Sequence, residues 1–147
     1  MNISTKANTH IKLKRLVESS TLYLIWASIA AVVAIVLNRP AQFGGSTSGL
    51  PVGQDFIHGT GTALSPPLVW MLAQALLTWL AWNQMNRKST WGVIGLALFG
   101  ATVFVGVLGE PITYELLNPV TFNPLLVVIQ AGMIIIPLAM MVFAIQE

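Results

Sequence analysis

The chain has no cysteine and very little charge. Without cysteine it can form no disulfide, thiolate metal site or thiol redox relay. Only 8% of its 147 residues are Asp, Glu, Lys or Arg, whereas ordinary soluble domains carry about 25%. Because 55% of the residues are hydrophobic, the composition excludes a typical water-soluble domain and indicates an integral membrane protein.

Acidic residues, basic residues and histidine are absent from the longest apolar stretches of the chain. These stretches lie at about 20–37, 66–85, 91–109 and 125–145, and each approaches the roughly 20 residues that cross a bilayer core as a helix. None contains Asp, Glu, Lys, Arg or His. Such side chains mark proton relays, ion pathways and haem ligation inside membranes. Their absence argues against a proton-coupled transporter and against a haem-carrying bundle.

The basic residues lie on one side of this arrangement. They precede the first stretch or occupy the 86–90 link, and the other two links hold only Arg39. The members of the set are Lys6, Lys12, Lys14, Arg15, Arg87 and Lys88. By the positive-inside rule, both termini and the 86–90 link face the cytoplasm. Cations beside a membrane stop translocation and contact anionic lipid, so we expect no nucleic-acid partner.

We therefore predict one all-α membrane domain over residues 1–147. It is an antiparallel four-transmembrane-helix bundle with cytoplasmic N and C termini, a basic N-terminal segment 1–19, and outer loops 38–65 and 110–124. The third span, 91–109, has small residues on two sides and is expected to lie between neighbouring helices. We expect the protein in a bacterial plasma membrane.

Proline and glycine are frequent in the predicted outer loops and at the helix ends beside them. Ser65 and Asn123 each precede proline and are predicted to cap the helices that follow. The 38–64 segment holds half of the chain's glycines, which predicts flexible backbone rather than a packed element. Prolines in the 110–124 segment permit a helical turn or two. Pro137 predicts a kink in the fourth span, since it removes a backbone hydrogen bond.

Polar side chains within the spans suggest a ligand pocket. Gln74, Thr102 and Gln130 lie in the outer half of the bilayer, within roughly 5 Å of a common depth at about 1.5 Å of rise per residue. Together with Thr78 they are predicted to line a pocket that opens outward. The alternative is that they form hydrogen bonds between helices, worth about 0.6 kcal/mol each on average in membrane bundles.

The outer loops hold a second set of candidate residues. Asp55, His58, Glu110 and Glu115 fall on the same side of the membrane in the predicted topology. One histidine with carboxylates is an acceptable ligand set for zinc or manganese, and paired carboxylates can share acid and base roles. Their spacing matches no established motif. The alternative is that they solvate the loops and that Glu110 caps a short helix.

Three hypotheses of function follow from these residues. The first is a non-enzymatic structural, accessory or small-ligand-binding membrane protein with no cofactor, whose partners are the lipid bilayer and a second copy or another membrane protein. The second is an outer-surface metal-dependent enzyme that uses the 53–60 and 110–115 loops. The third is an oligomeric small transporter or channel, which the uncharged spans disfavour.

Overall fold

Every named secondary-structure element in the described part of the chain is an α-helix. A computed structural model describes residues 3–42, 46–84, 91–120 and 122–145. The helices are α1 (Ile3–Val36), α2 (Val52–His58), α3 (Leu68–Gln84), α4 (Trp91–Gly109), α5 (Pro111–Glu115) and α6 (Pro124–Ile145). The described ranges contain isolated β-bridges, such as Pro40 with Thr62 and Thr62 with Ser65, and no named strand. The predicted all-α class is confirmed.

Three of the helices are long and apolar enough to cross a membrane. They are the Ile11–Val36 part of α1, all of α4 and all of α6. The apolar stretch of α3, Leu68–Asn83, is shorter. These helices suggest an integral membrane protein, as the composition predicted.

The four longer helices pack against one another through small residues. α1 and α4 each contact both α3 and α6. On α4, Gly95 faces the Leu77 side chain of α3, and Gly100 faces the carbonyl oxygen of Pro137 in α6. A side chain at either glycine would press on its neighbour, so the glycines permit close approach of the backbones. The prediction that the third span lies between neighbouring helices is confirmed.

Helix α1 extends further toward the N-terminus than predicted. The first span was predicted at about 20–37, after a basic segment 1–19, whereas α1 begins at Ile3 and its membrane-length apolar part is Ile11–Val36. Leu13, Leu16 and Val17 are buried against the core, which explains why the helix continues through the basic residues. Lys14 and Glu18 form an exposed ion pair at 3.7 Å on the solvent-facing side, with the i,i+4 spacing that supports a helix.

Part of the 38–65 segment is packed, and the prediction of flexible backbone is wrong for that part. It contains α2 and a buried run from Gly61 to Ser65. Gly61 has φ +101° and lies directly under the backbone of Pro66 and Pro67, where a side chain would be strained and would overlap. Burial of Ala63 and Leu64 in the core explains the order of the segment.

The predicted helix caps have different outcomes. Asn123 accepts hydrogen bonds from the backbone N–H groups of Leu125 and Leu126 at 3.1 and 3.4 Å, so the predicted cap of α6 is confirmed. Ser65 is not a cap, because α3 begins three residues later at Leu68. Its hydroxyl donates to the carbonyl oxygen of Pro66 instead. The buried Pro137 lies inside α6, and the predicted kink stays a prediction.

Candidate functional site

A pocket of about 410 Å³ lies between α4 and the segment that leads into α3. We call it the α4 pocket. Its walls are mainly apolar and include Pro66, Pro67, Trp70, Val103, Val107 and Met133. The polar residues of the wall are Thr60, Thr62, Ser65, Thr102 and Glu110. Glu110 is the one ionisable side chain among the described residues of the wall.

Two glycines lie in the wall of the α4 pocket. Gly106 lies in its wall, and a Cβ added there would meet no atom within 4 Å. On the opposite wall, Gly59 lies against the Asp55 carboxylate, where a side chain would overlap it. The pocket therefore depends on one glycine that leaves room for a ligand and another that permits a tight turn.

Glu110 follows directly after α4. It is buried, with only 7% of its surface exposed. Its Oε2 accepts a hydrogen bond from the backbone N–H of Gln42 at 3.2 Å. Burial raises the pKa of Glu110, and the bond from Gln42 opposes that rise. The residue occupies the predicted N-cap position of the short helix α5, but its side chain makes no cap hydrogen bond.

A second, smaller pocket of about 100 Å³ lies on the other side of Glu110. We call it the small pocket. Arg39 and Glu115 line it together with Glu110. The structure thus brings Glu110 and Glu115 to one place, while Asp55 and His58 line neither pocket.

Asp55 holds the turn that forms one wall of the α4 pocket. It is completely buried. Its carboxylate accepts hydrogen bonds from the Thr60 backbone N–H at 2.8 Å and from the Ser48 hydroxyl at 2.7 Å, and the Thr60 hydroxyl adds contacts at 3.2 Å. These bonds fold the chain back on itself, so that Gly59 and Thr60 face the pocket.

The predicted metal set is dispersed. His58 is exposed at the end of α2. The Asp55 carboxylate accepts hydrogen bonds from Ser48 and Thr60. In the described ranges no three His, Asp or Glu side chains come together as they would to hold a metal ion.

Two of the four polar residues predicted to line a ligand pocket connect α1 with α3. The Gln74 amide donates to the backbone carbonyl and the hydroxyl of Ser20 at 3.1 and 3.0 Å. The Thr78 hydroxyl lies 2.7 Å from that of Ser20 and also donates to the Gln74 carbonyl. All three residues are buried, so this group forms hydrogen bonds between helices.

The other two predicted pocket residues lie apart from that group and from each other. The Gln130 amide donates to the Thr113 hydroxyl at 2.6 Å, and this hydroxyl donates to the Val107 carbonyl at 2.6 Å. Thr102 alone of the four lines the α4 pocket, and its hydroxyl donates to the Leu98 carbonyl of its own helix. Sequence reasoning missed Trp70 and Gly106; the four-residue spacing of Thr102 and Gly106 placed both on one face and was the available signal.

No protein-family model, curated protein or solved structure matches the chain. The chemistry of the α4 pocket therefore carries the functional argument.

Proposed function

We propose that the chain is a non-enzymatic membrane protein that binds a small molecule with a largely apolar body in the α4 pocket. The observation that carries the proposal is a pocket of about 410 Å³ with mainly apolar walls and a few polar groups. Ligand sites in proteins have this composition and typically measure about 300–1,000 Å³. The polar groups would orient the ligand, while the apolar walls would supply affinity.

We further propose that α1, α3, α4 and α6 all cross the bilayer, as an antiparallel bundle with both termini in the cytoplasm. At 1.5 Å per residue, the 17 residues of α3 extend about 26 Å, a little less than a bilayer core of about 30 Å. Local thinning of the bilayer accommodates such a difference. Val69, Leu72, Leu76 and Trp79 on α3 are each more than half exposed, which supports a lipid-facing surface.

The topology can be tested on a chain that lacks cysteine. We expect Ser46→Cys to react with a membrane-impermeant thiol reagent applied to intact cells, because Ser46 is exposed in the proposed outer segment. We expect Ser89→Cys, in the proposed cytoplasmic link, to react only after the membrane is made permeable. The reverse pattern would exclude the proposed orientation.

The pocket is tested with Gly106→Leu, matched with Gly109→Leu. A Cβ at either glycine meets nothing within 4 Å, but only Gly106 lines the α4 pocket. In nanodiscs, saturable binding of neopentylbenzene above that of empty nanodiscs is expected for the wild type and for Gly109→Leu. We expect Gly106→Leu to weaken it at least tenfold, because the leucine fills the pocket. Equal binding by both variants would place the ligand elsewhere.

The outer-surface metal-dependent enzyme and the oligomeric small transporter or channel stay hypotheses from the sequence. Location in a bacterial plasma membrane also stays a prediction, because the apolar helices indicate a membrane without specifying which one.

A further inference from the structure

We propose that the ligand of the α4 pocket is a monovalent organic cation with an apolar body, whose charge lies against the carboxylate of Glu110. This inference rests on the proposed ligand-binding function and names the chemical class of the ligand. It is carried by the placement of a single buried carboxyl in a wall that is otherwise apolar or neutral.

A bound cation would give the Glu110 carboxyl a partner of opposite charge. The carboxyl has lost most of its contact with water, and the Gln42 N–H is its one hydrogen-bond donor among the described residues. No ion pair within 4.0 Å joins Arg39 to it in this part of the chain. Charge attraction is stronger in a site of low dielectric than in water, so a bound cation would favour the ionised carboxyl.

Trp70 provides a second feature that suits a cation. Its side chain lines the α4 pocket and is held against the Phe99 ring, with centroids 6.0 Å apart. An indole face attracts cations, and this attraction recognises quaternary ammonium groups in particular. The pocket thus pairs an aromatic side chain with an acidic one, as a ligand with a positive end requires.

The apolar residues of the pocket wall determine which uncharged part of the ligand fits. Val103, Val107 and Met133 present apolar surface, which favours a hydrocarbon or aromatic body. A hard metal cation would need several oxygen ligands at once, whereas the described wall offers one carboxyl and separate hydroxyls. The chemistry therefore favours an organic cation over an inorganic one.

The charged groups around Glu110 determine the pH dependence of binding. The described wall of the α4 pocket contributes no other ionisable side chain, while Arg39 and Glu115 line the small pocket together with Glu110. Asp55 is engaged by Ser48 and Thr60, and His58 is exposed outside both pockets. Because burial raises the pKa of Glu110 above its ordinary value, cation affinity should increase as the pH rises through this raised pKa and the carboxyl ionises.

The test compares benzyltrimethylammonium with its neutral isostere, neopentylbenzene, in nanodiscs at pH 7.5. We expect Glu110→Gln to weaken binding of the cation at least tenfold and to change binding of the isostere less than twofold. Glutamine keeps an oxygen that accepts the Gln42 N–H, so the fold of the segment is preserved. The matched control is Glu115→Gln, which removes a carboxyl that does not line the α4 pocket and should change cation binding less than twofold.

A second measurement follows cation affinity between pH 4.5 and 8. It should rise with pH in the wild type and stay flat in Glu110→Gln. Equal cation binding by wild type and Glu110→Gln would overturn the inference, and if the isostere still bound in a manner sensitive to Gly106→Leu, the proposed ligand-binding function would stand. Failure of both compounds to bind the wild type would overturn the proposed function itself.

Discussion

Replacement of Asp55 by alanine is expected to lower the free energy of unfolding by about 3 kcal/mol. The completely buried carboxylate accepts bonds from the Thr60 backbone N–H and the Ser48 hydroxyl. A hydrogen bond to a charged group contributes about 1.5–3 kcal/mol, and a buried donor left without a partner costs about 1–3 kcal/mol. Reversible unfolding of the purified protein in mixed micelles measures the loss.

Two variants separate this structural role from a general effect of mutating the loop. Asp55→Asn keeps one oxygen acceptor for the Thr60 N–H and should lose about 1 kcal/mol, in line with one weakened bond. Gln54→Ala changes an exposed neighbour on the same helix and should leave stability unchanged within about 0.5 kcal/mol. Unchanged or increased stability in Asp55→Ala would contradict a structural role and would favour the enzyme hypothesis for this residue.

Replacement of Gly132 by alanine is expected to cost about 2 kcal/mol of stability. The new methyl group would overlap the indole ring of Trp26, whose N–H donates to the Ile129 carbonyl at 2.9 Å. Overpacking costs about 1–3 kcal/mol, and loss of the hydrogen bond adds about 0.6 kcal/mol. The better helix propensity of alanine offsets up to about 1 kcal/mol. Unfolding in mixed micelles reports the net change.

The contact with Trp26 can be isolated by a double-mutant cycle. In a Trp26→Ala background, Gly132→Ala should lose most of its cost, because the ring that it would overlap is gone. Gly106→Ala is the matched control, since a Cβ there meets nothing within 4 Å, and it should be neutral or stabilising by up to about 1 kcal/mol. A cost at Gly132 that persists without Trp26 would contradict the explanation.

The bounds of the apolar helices were predictable because they depend on local composition. The third and fourth spans were predicted at about 91–109 and 125–145, and α4 and α6 occupy Trp91–Gly109 and Pro124–Ile145. The first span was predicted from about residue 20, whereas the apolar part of α1 begins at Ile11 and the helix itself at Ile3. Its polar N-terminal part has no apolar run of its own; contacts of Leu13, Leu16 and Val17 with the core support it.

The packing within the 38–65 segment could not be predicted from its amino-acid composition either. Its glycines predicted flexibility, yet Gly59 and Gly61 are required by contacts with the Asp55 carboxylate and with the Pro66 and Pro67 backbone. A glycine chosen for flexibility and one chosen for close packing look the same in a sequence. Only the positions of the surrounding atoms distinguish the two.

The sequence by itself determined the class of the protein, because apolar length, scarce charge and absent cysteine act through solvation and chemistry that need no partner residue. It also singled out Asp55, Glu110 and Thr102 as unusual in their surroundings. The tertiary structure decided what each contacts: Asp55 closes a turn, Thr102 and Glu110 line one pocket, and Gln74 and Gln130 bond to separate elements. Such pairings depend on how helices rotate and approach one another, and small residues such as Gly95 and Gly100 determine that approach only through the neighbours that they meet.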